Sequence, residues 1–199
     1  FYDIELLNQV ISILFKIFGF EFEVSVSTNG IGLKNLDKLE YLRYIETIHL
    51  SRHHYDDKIN RELFGYDVPN TQELKKYIAN IPYKDIFVIN CMLLKDYINS
   101  PDEVHKMLDY AISIGVPKVG FMGCTQINAF AKEQYIPFEK VINDNDSSVL
   151  FTRGFTDYEF CRCRDGIYAS PNGEIIELYG RNTGAAEPDY CRGLVYGAD

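Results

Sequence analysis

Between Asp3 and Phe18, apolar residues Ile4, Leu7, Val10, Ile11, Leu14 and Phe18 recur at helical spacing, and Gly19 stands where a helix stops. Residues 20–28 then alternate, with Phe20, Phe22, Val24 and Val26 on one side and Glu21, Glu23, Ser25 and Ser27 on the other. This pattern predicts a strand with one polar face, ended by the Asn29-Gly30 turn. A short helix over residues 34–44 leads to a second strand, Thr47 to His53, where Ile48 and Leu50 alternate with His49, Ser51 and His53. Asn70 and Glu73 are spaced as a capping box, ahead of a helix whose apolar face is Leu74, Tyr77, Ile78 and Ile81. From Ile86 to Leu94 the chain is almost wholly apolar except Asn90, as a strand covered on both sides should be. Ser100, Pro101 and Glu103 stand as N-cap, N1 and N3 of a helix running to Gly115, and Val116 to Met122 forms a fourth strand.

Four strand–helix alternations argue for right-handed parallel βα units. An open doubly wound sheet and a closed or partial barrel both satisfy them. The polar stripes on the first two strands favour a barrel with a wet interior, because a flat sheet would bury both faces under helices. The expected fold is α/β: a partial parallel βα barrel over residues 1–125, then a β-rich C-terminal extension over 126–199. In that extension Gln126 to Asp146 is polar and weakly helical, and Ile167–Ser170 and Glu174–Tyr179 flank Pro171-Asn172-Gly173 as a hairpin.

Composition narrows the partners. Of 199 residues 46% are hydrophobic, enough for a sizeable core. Twenty Lys plus Arg against 29 Asp plus Glu give a net charge of -9 with no basic run, which argues against nucleic acid. The apolar stretch Val10 to Phe22 is broken by Ser12, Lys16, Gly19 and Glu21, so no membrane span is expected. Five cysteines, an odd number with two inside buried strands, fit a reducing compartment, and a cytoplasmic location is expected. The chain opens with Phe1 rather than Met, as a piece of a longer protein would.

Functional groups of a parallel barrel gather at the C-terminal ends of its strands. Ser27, Thr28 and Asn29 lie at the first such end, read either as a turn or as part of the barrel mouth. The second strand runs into Ser51-Arg52-His53-His54-Tyr55-Asp56-Asp57, a dense set of donors, acceptors and metal-capable groups. Asn90 needs a partner, either neighbouring backbone or a ligand, because an unpaired buried amide costs about 1–3 kcal/mol. Cys124, Thr125 and Gln126 close the fourth strand. Cys161, Cys163 and Cys191 are weak metal candidates, since C-x-C with one distant cysteine has no recognised ligand spacing. Phosphate-loop, dinucleotide-binding and zincin motifs do not occur.

The order of these elements is similar to that of the radical SAM superfamily. The residues that carry the similarity are a strand ending Ser27-Thr28-Asn29-Gly30, a strand ending His49-Leu50-Ser51, then His53-His54-Tyr55-Asp56-Asp57, Asn60-Arg61-Glu62-Leu63-Phe64-Gly65, Val88-Ile89-Asn90-Cys91, Asn99, Glu103, and a helix ending Ser113-Ile114-Gly115. Over residues 1–125 they most resemble the branch containing the GTP-cyclising molybdenum-cofactor enzyme. The resemblance implies strands three to six of a six-stranded, TIM-barrel-like fold. It implies S-adenosylmethionine and a metal-binding [4Fe-4S] cluster as cofactors of the intact protein, which cleaves S-adenosylmethionine reductively to start a radical reaction on a small-molecule or peptide substrate. By the same resemblance Ser51, Asn90 and Thr125 would contact S-adenosylmethionine, and Ser27, Thr28, Asn29, Arg52 and His53 would line the substrate side of the mouth.

The family's C-x-x-x-C-x-x-C and Gly-Gly-Glu-Pro motifs do not occur here, and Phe1-Tyr2-Asp3 resembles the residues that typically succeed Gly-Gly-Glu-Pro. The resemblance therefore implies a partner in the upstream part of the same polypeptide, an inactive chain in isolation, and self-association through an open barrel edge. The Ser51-Arg52-His53 sequence departs from the family's Ser-Leu-Asp, and Glu174 to Tyr179 lacks the cysteine that an auxiliary cluster would need. Two other readings compete. One is a metal-dependent barrel hydrolase or isomerase using His53, Asp56 and Asp57; the other is a binding module without chemistry.

Overall fold

The computed structural model describes residues 3–19, 22–153 and 164–182. Asp3 caps helix α1 (Ile4–Phe18) by accepting from the Leu6 amide, and Gly19 ends it at positive φ. Strand β1 (Val24–Thr28) leads through a 3-10 turn (Ile31–Lys38) into β2 (Ile45–Ser51). Next come helices α2 (Asp57–Phe64) and α3 (Thr71–Ala79), the latter opened by the expected capping box of Asn70 and Glu73. Strand β3 (Phe87–Met92) precedes α4 (Pro101–Ile114), which is capped by Ser100 and closed by Gly115. Beyond β4 (Lys118–Met122) come short helices α5 (Ala129–Glu133) and α6 (Phe138–Val141), then β5 (Val149–Arg153), β6 (Arg164–Ala169) and β7 (Ile175–Arg181).

Among the described residues seven strands form one open sheet, ordered β1-β2-β3-β4-β7-β6-β5. β1 to β4 run parallel, as the strand–helix alternation requires, and β7 joins β4 in parallel, so the hairpin continues the barrel strands. β6 and β5 then return antiparallel. Among the described residues no helix is long and apolar enough to cross a membrane.

The two faces differ. Ile48, Leu50, Phe87, Ile89, Cys91, Val119, Phe121 and Leu178 point to the helices and are buried with Leu74, Ile78, Met107, Leu108 and Ala111 from α3 and α4. Strand periodicity sends their neighbours Ser27, His49, Ser51, Asn90, Lys118, Tyr179 and Arg181 to the other face. That face is the wet one anticipated from the stripes.

Among the described residues β1 is paired on one side only. Beside it, α1 uses Asn8 on one flank, donating to the Lys38 carbonyl at 3.3 Å and accepting from the Glu40 amide at 3.1 Å. Its other flank exposes Leu6, Val10, Ile13 and Ile17, at 43% to 65%. A bare strand edge beside an apolar helix flank favours association. The chain is expected to self-associate in sedimentation velocity, and Val10→Lys with Ile17→Lys to shift it towards monomer; a wild-type chain that stays strictly monomeric would contradict this.

Candidate functional site

Register brings the polar residues into rows. Ser51 lies level with Asn90, Asn90 with Gly120, and Gly120 with Tyr179, on four adjacent parallel strands. The Tyr179 ring crosses over Gly120, where a Cβ would overlap it, and its hydroxyl donates to Asn90 Oδ1 at 2.8 Å. Asn90 Oδ1 thus has a partner that the sequence reading did not anticipate, a side chain from the C-terminal hairpin. His49 also lies against Asn90; burial lowers its pKa, contact with Asn90 opposes that, and its buried Nδ1 makes no hydrogen bond among the described residues. Burial raises the Tyr179 phenol, with Arg181 opposing, so the hydroxyl remains a donor at neutral pH.

Beyond Tyr179 the face becomes charged. Arg181 stacks 4.7 Å from the Tyr179 ring centre and pairs with Asp165 at 2.7 Å, while Lys118 pairs with Glu177 at 2.6 Å. These side chains line a cleft of about 410 Å³ over β4, β7 and β6.

After Ser51 the chain divides its side chains between two jobs. Arg52, expected at the mouth, turns away from it and is 1% exposed. Its guanidinium donates to the His54, Tyr55 and Pro69 carbonyls and to Asp57, with the Tyr110 ring 4.9 Å away. Strand alternation explains the turn, since Arg52 comes directly after inward-facing Ser51 and takes the helix side. Asp57 also accepts from the Thr71 amide and hydroxyl. Burial alone would raise its carboxyl, but the bonds from Arg52 and Thr71 outweigh it and hold the pKa below the ordinary value. Asp56 caps α2 by accepting from the Lys58 and Ile59 amides, and Asn60, 1% exposed, accepts from the His53 and His54 amides. Asp56 and Asp57 are thereby committed to the backbone and to Arg52. Among the described residues no group of three His, Cys, Asp or Glu could hold a metal ion.

His53 does face the mouth. Its Nδ1 accepts from the Met92 amide at 3.2 Å, its ring stacks on Phe64, and burial pushes its pKa down to about 4. With Met92, Leu94, Cys124, Thr125 and Phe130 it lines a largely apolar cleft of about 410 Å³ past the ends of β3 and β4, so His53 and Thr125 share one site. At the end of β1, Thr28 Oγ1 accepts from the Gly30 amide and Asn29 Oδ1 from the Ile31 amide, which builds the turn; Asn29 Nδ2 reaches the Tyr66 hydroxyl at 3.1 Å. Ser27 is exposed on the polar face beside His49. Cys161, Cys163 and Cys191 lie outside the described residues. Cys91 and Cys124 are buried free thiols with pKa values raised by burial.

Sequence reasoning placed His49 in a polar stripe without singling it out, and missed Tyr179. The signal for His49 was its alternation with Ser51. For Tyr179 it was Gly120 alone in an apolar strand, a position that leaves room for a ring from a neighbouring strand.

No family model and no curated protein matches the chain. Among solved structures it is similar to Streptococcus suis SuiB bound to S-adenosylmethionine, with 14% identity and a TM-score of 0.44 over 66% of this chain and 29% of that one. A further SuiB structure gives 16%, 0.46, 66% and 29%, and SuiB bound to precursor peptide SuiA gives 14%, 0.44, 66% and 28%. The chain thus spans under a third of the length of SuiB.

Arg52→Ala leaves three carbonyls without this donor and the Asp57 carboxylate with Thr71 alone, and is expected to cost about 3 kcal/mol in urea unfolding. A loss within the range of exposed pairs, under about 1 kcal/mol, would contradict its structural role. His53 is neutral when folded down to a pKa of about 4, against an ordinary value of 6.5. Between these pH values the unfolded chain binds the proton and the folded one does not, so the stability present above pH 6.5 is lost as pH falls towards 4. His53→Gln should reduce the slope across that interval; an NMR titration placing His53 near 6.5 would overturn the burial argument.

Proposed function

We propose that this chain is the C-terminal part of a radical SAM enzyme in which Ser51, Asn90 and Thr125 hold S-adenosylmethionine. The observation that carries this reading is the pairing of Ser51 with Asn90 on the uncovered face of parallel strands, near the C-terminal ends where such folds gather function. Residues Ser51 and Asn90 supply hydroxyl and amide groups suited to a zwitterionic nucleoside, and His49 Nδ1 adds a buried polar atom without a protein partner among the described residues. Next to them, the apolar cleft holding Thr125 suits a planar base. The chemistry of the donor set therefore fits S-adenosylmethionine.

The described residues do not fit the iron–sulfur cluster. Cys91 and Cys124 are buried thiols, and no third ligand joins them among the described residues. A [4Fe-4S] cluster is assigned to the upstream part of the same polypeptide, and with S-adenosylmethionine it supplies a radical able to take a hydrogen atom from a small-molecule or peptide substrate. This chain's share is to bind and orient. Ser51 and Asn90 hydrogen-bond the cofactor; Thr125 borders the base; Ser27, Asn29 and His53 edge the space left for substrate. Arg52 supports Ser51 and His53 from behind by fixing the loop between them and α2.

The test is anaerobic assay, with dithionite as the one-electron reductant, of the polypeptide extended upstream to its cluster loop. It is expected to convert S-adenosylmethionine to methionine and 5′-deoxyadenosine, about five- to thirtyfold more slowly as Ser51→Ala or Asn90→Ala, since each loses a hydrogen bond worth about 1–2 kcal/mol. The 199-residue chain alone should neither bind a cluster nor cleave the cofactor. Turnover by that chain alone, or no cleavage by the extended polypeptide, would refute the proposal.

A further inference from the structure

Asn90 is useful to a ligand only if its amide is held one way round. Oδ1 accepts and Nδ2 donates, so a flipped amide offers the wrong group. Three features of the sheet bear on that choice. The Tyr179 hydroxyl reaches Oδ1 at 2.8 Å from β7, two strands away. The intervening position on β4 is Gly120, and any side chain there would drive the ring off Asn90. With Oδ1 taken by this hydroxyl, the two Nδ2 hydrogens are the end of the amide left to face a ligand. The Tyr179 ring is itself held, with Arg181 stacked on it and Arg181 anchored to Asp165.

Resting on the reading of Asn90 as a cofactor contact, we propose that Tyr179 is a positioning residue, fixing the Asn90 amide so that its two Nδ2 donors are presented to the open face beside Ser51. The hairpin after the barrel strands is then part of the cofactor site, acting through Asn90 without touching the ligand. Gly120 is the clearance that this bridge requires.

The first readout needs no activity. In ¹H–¹⁵N spectra of this chain, the Asn90 side-chain amide pair should give one sharp, well-dispersed set of signals, and Tyr179→Phe should move it towards the values of a solvated amide. Gly120→Ala, which displaces the ring but keeps the hydroxyl, should do the same. Backbone signals of β3 and β4 that stay in place will show that the fold is intact. An Asn90 amide pair unmoved by Tyr179→Phe overturns the proposal. The second readout uses the extended polypeptide, where Tyr179→Phe should raise KM for S-adenosylmethionine about fivefold, the equivalent of one ordinary hydrogen bond, with kcat within about twofold. If Asn90→Ala raises KM and Tyr179→Phe does not, the positioning role fails while the cofactor reading stands. If Asn90→Ala leaves KM unchanged, the cofactor reading fails, whatever the amide signals show.

Discussion

The register of four parallel strands governs the polar face. Side chains on a strand alternate, so packing Leu50, Ile89, Val119 and Leu178 against the helices obliges Ser51, Asn90, Gly120 and Tyr179 to form a row on the reverse side. A slip of one residue between any two strands would place polar side chains in the core and apolar ones on the wet face. Hydrophobic burial therefore sets the geometry of the polar site, although none of the site's own groups contributes to that burial.

The same alternation separates the two adjacent residues at the end of β2. Ser51 faces the open side; Arg52 faces the helices, where it joins three carbonyls and the half-buried Asp57 into one network. A buried guanidinium is tolerated when its donors are satisfied, and this one ties the loop after β2 to the start of α3 through Thr71. Rigid support of this kind lets His53, the next residue, meet the mouth cleft in a fixed pose against Met92 and Phe64. Scaffold and site are built from neighbouring residues with opposite orientations.

Much of this was legible in the sequence because it depends on local pattern. The helix α4 was readable at both ends from Ser100, Pro101 and Gly115, α3 from Asn70 and Glu73, and the wet face from Ser27, His49 and Ser51 alternating with apolar neighbours. What escaped depended on contacts distant in sequence. Asn90 and Tyr179 are 89 residues apart, and nothing local to either announces the other. Arg52 looked like a mouth residue because the helical extension that receives it, with the Pro69 carbonyl and Asp57, comes later in the chain. The joining of the C-terminal hairpin to β4 was likewise hidden, since a run such as Ile175–Arg181 specifies a strand but not its partner.

On the proposed function, the open face is the inner wall of a radical SAM barrel whose remaining strands and cluster loop precede this chain. Sequencing the source DNA immediately upstream of the Phe1 codon tests that most directly. A continuous reading frame encoding Gly-Gly-Glu-Pro and, before it, C-x-x-x-C-x-x-C is the predicted result. A start signal close to Phe1 with neither motif would contradict it.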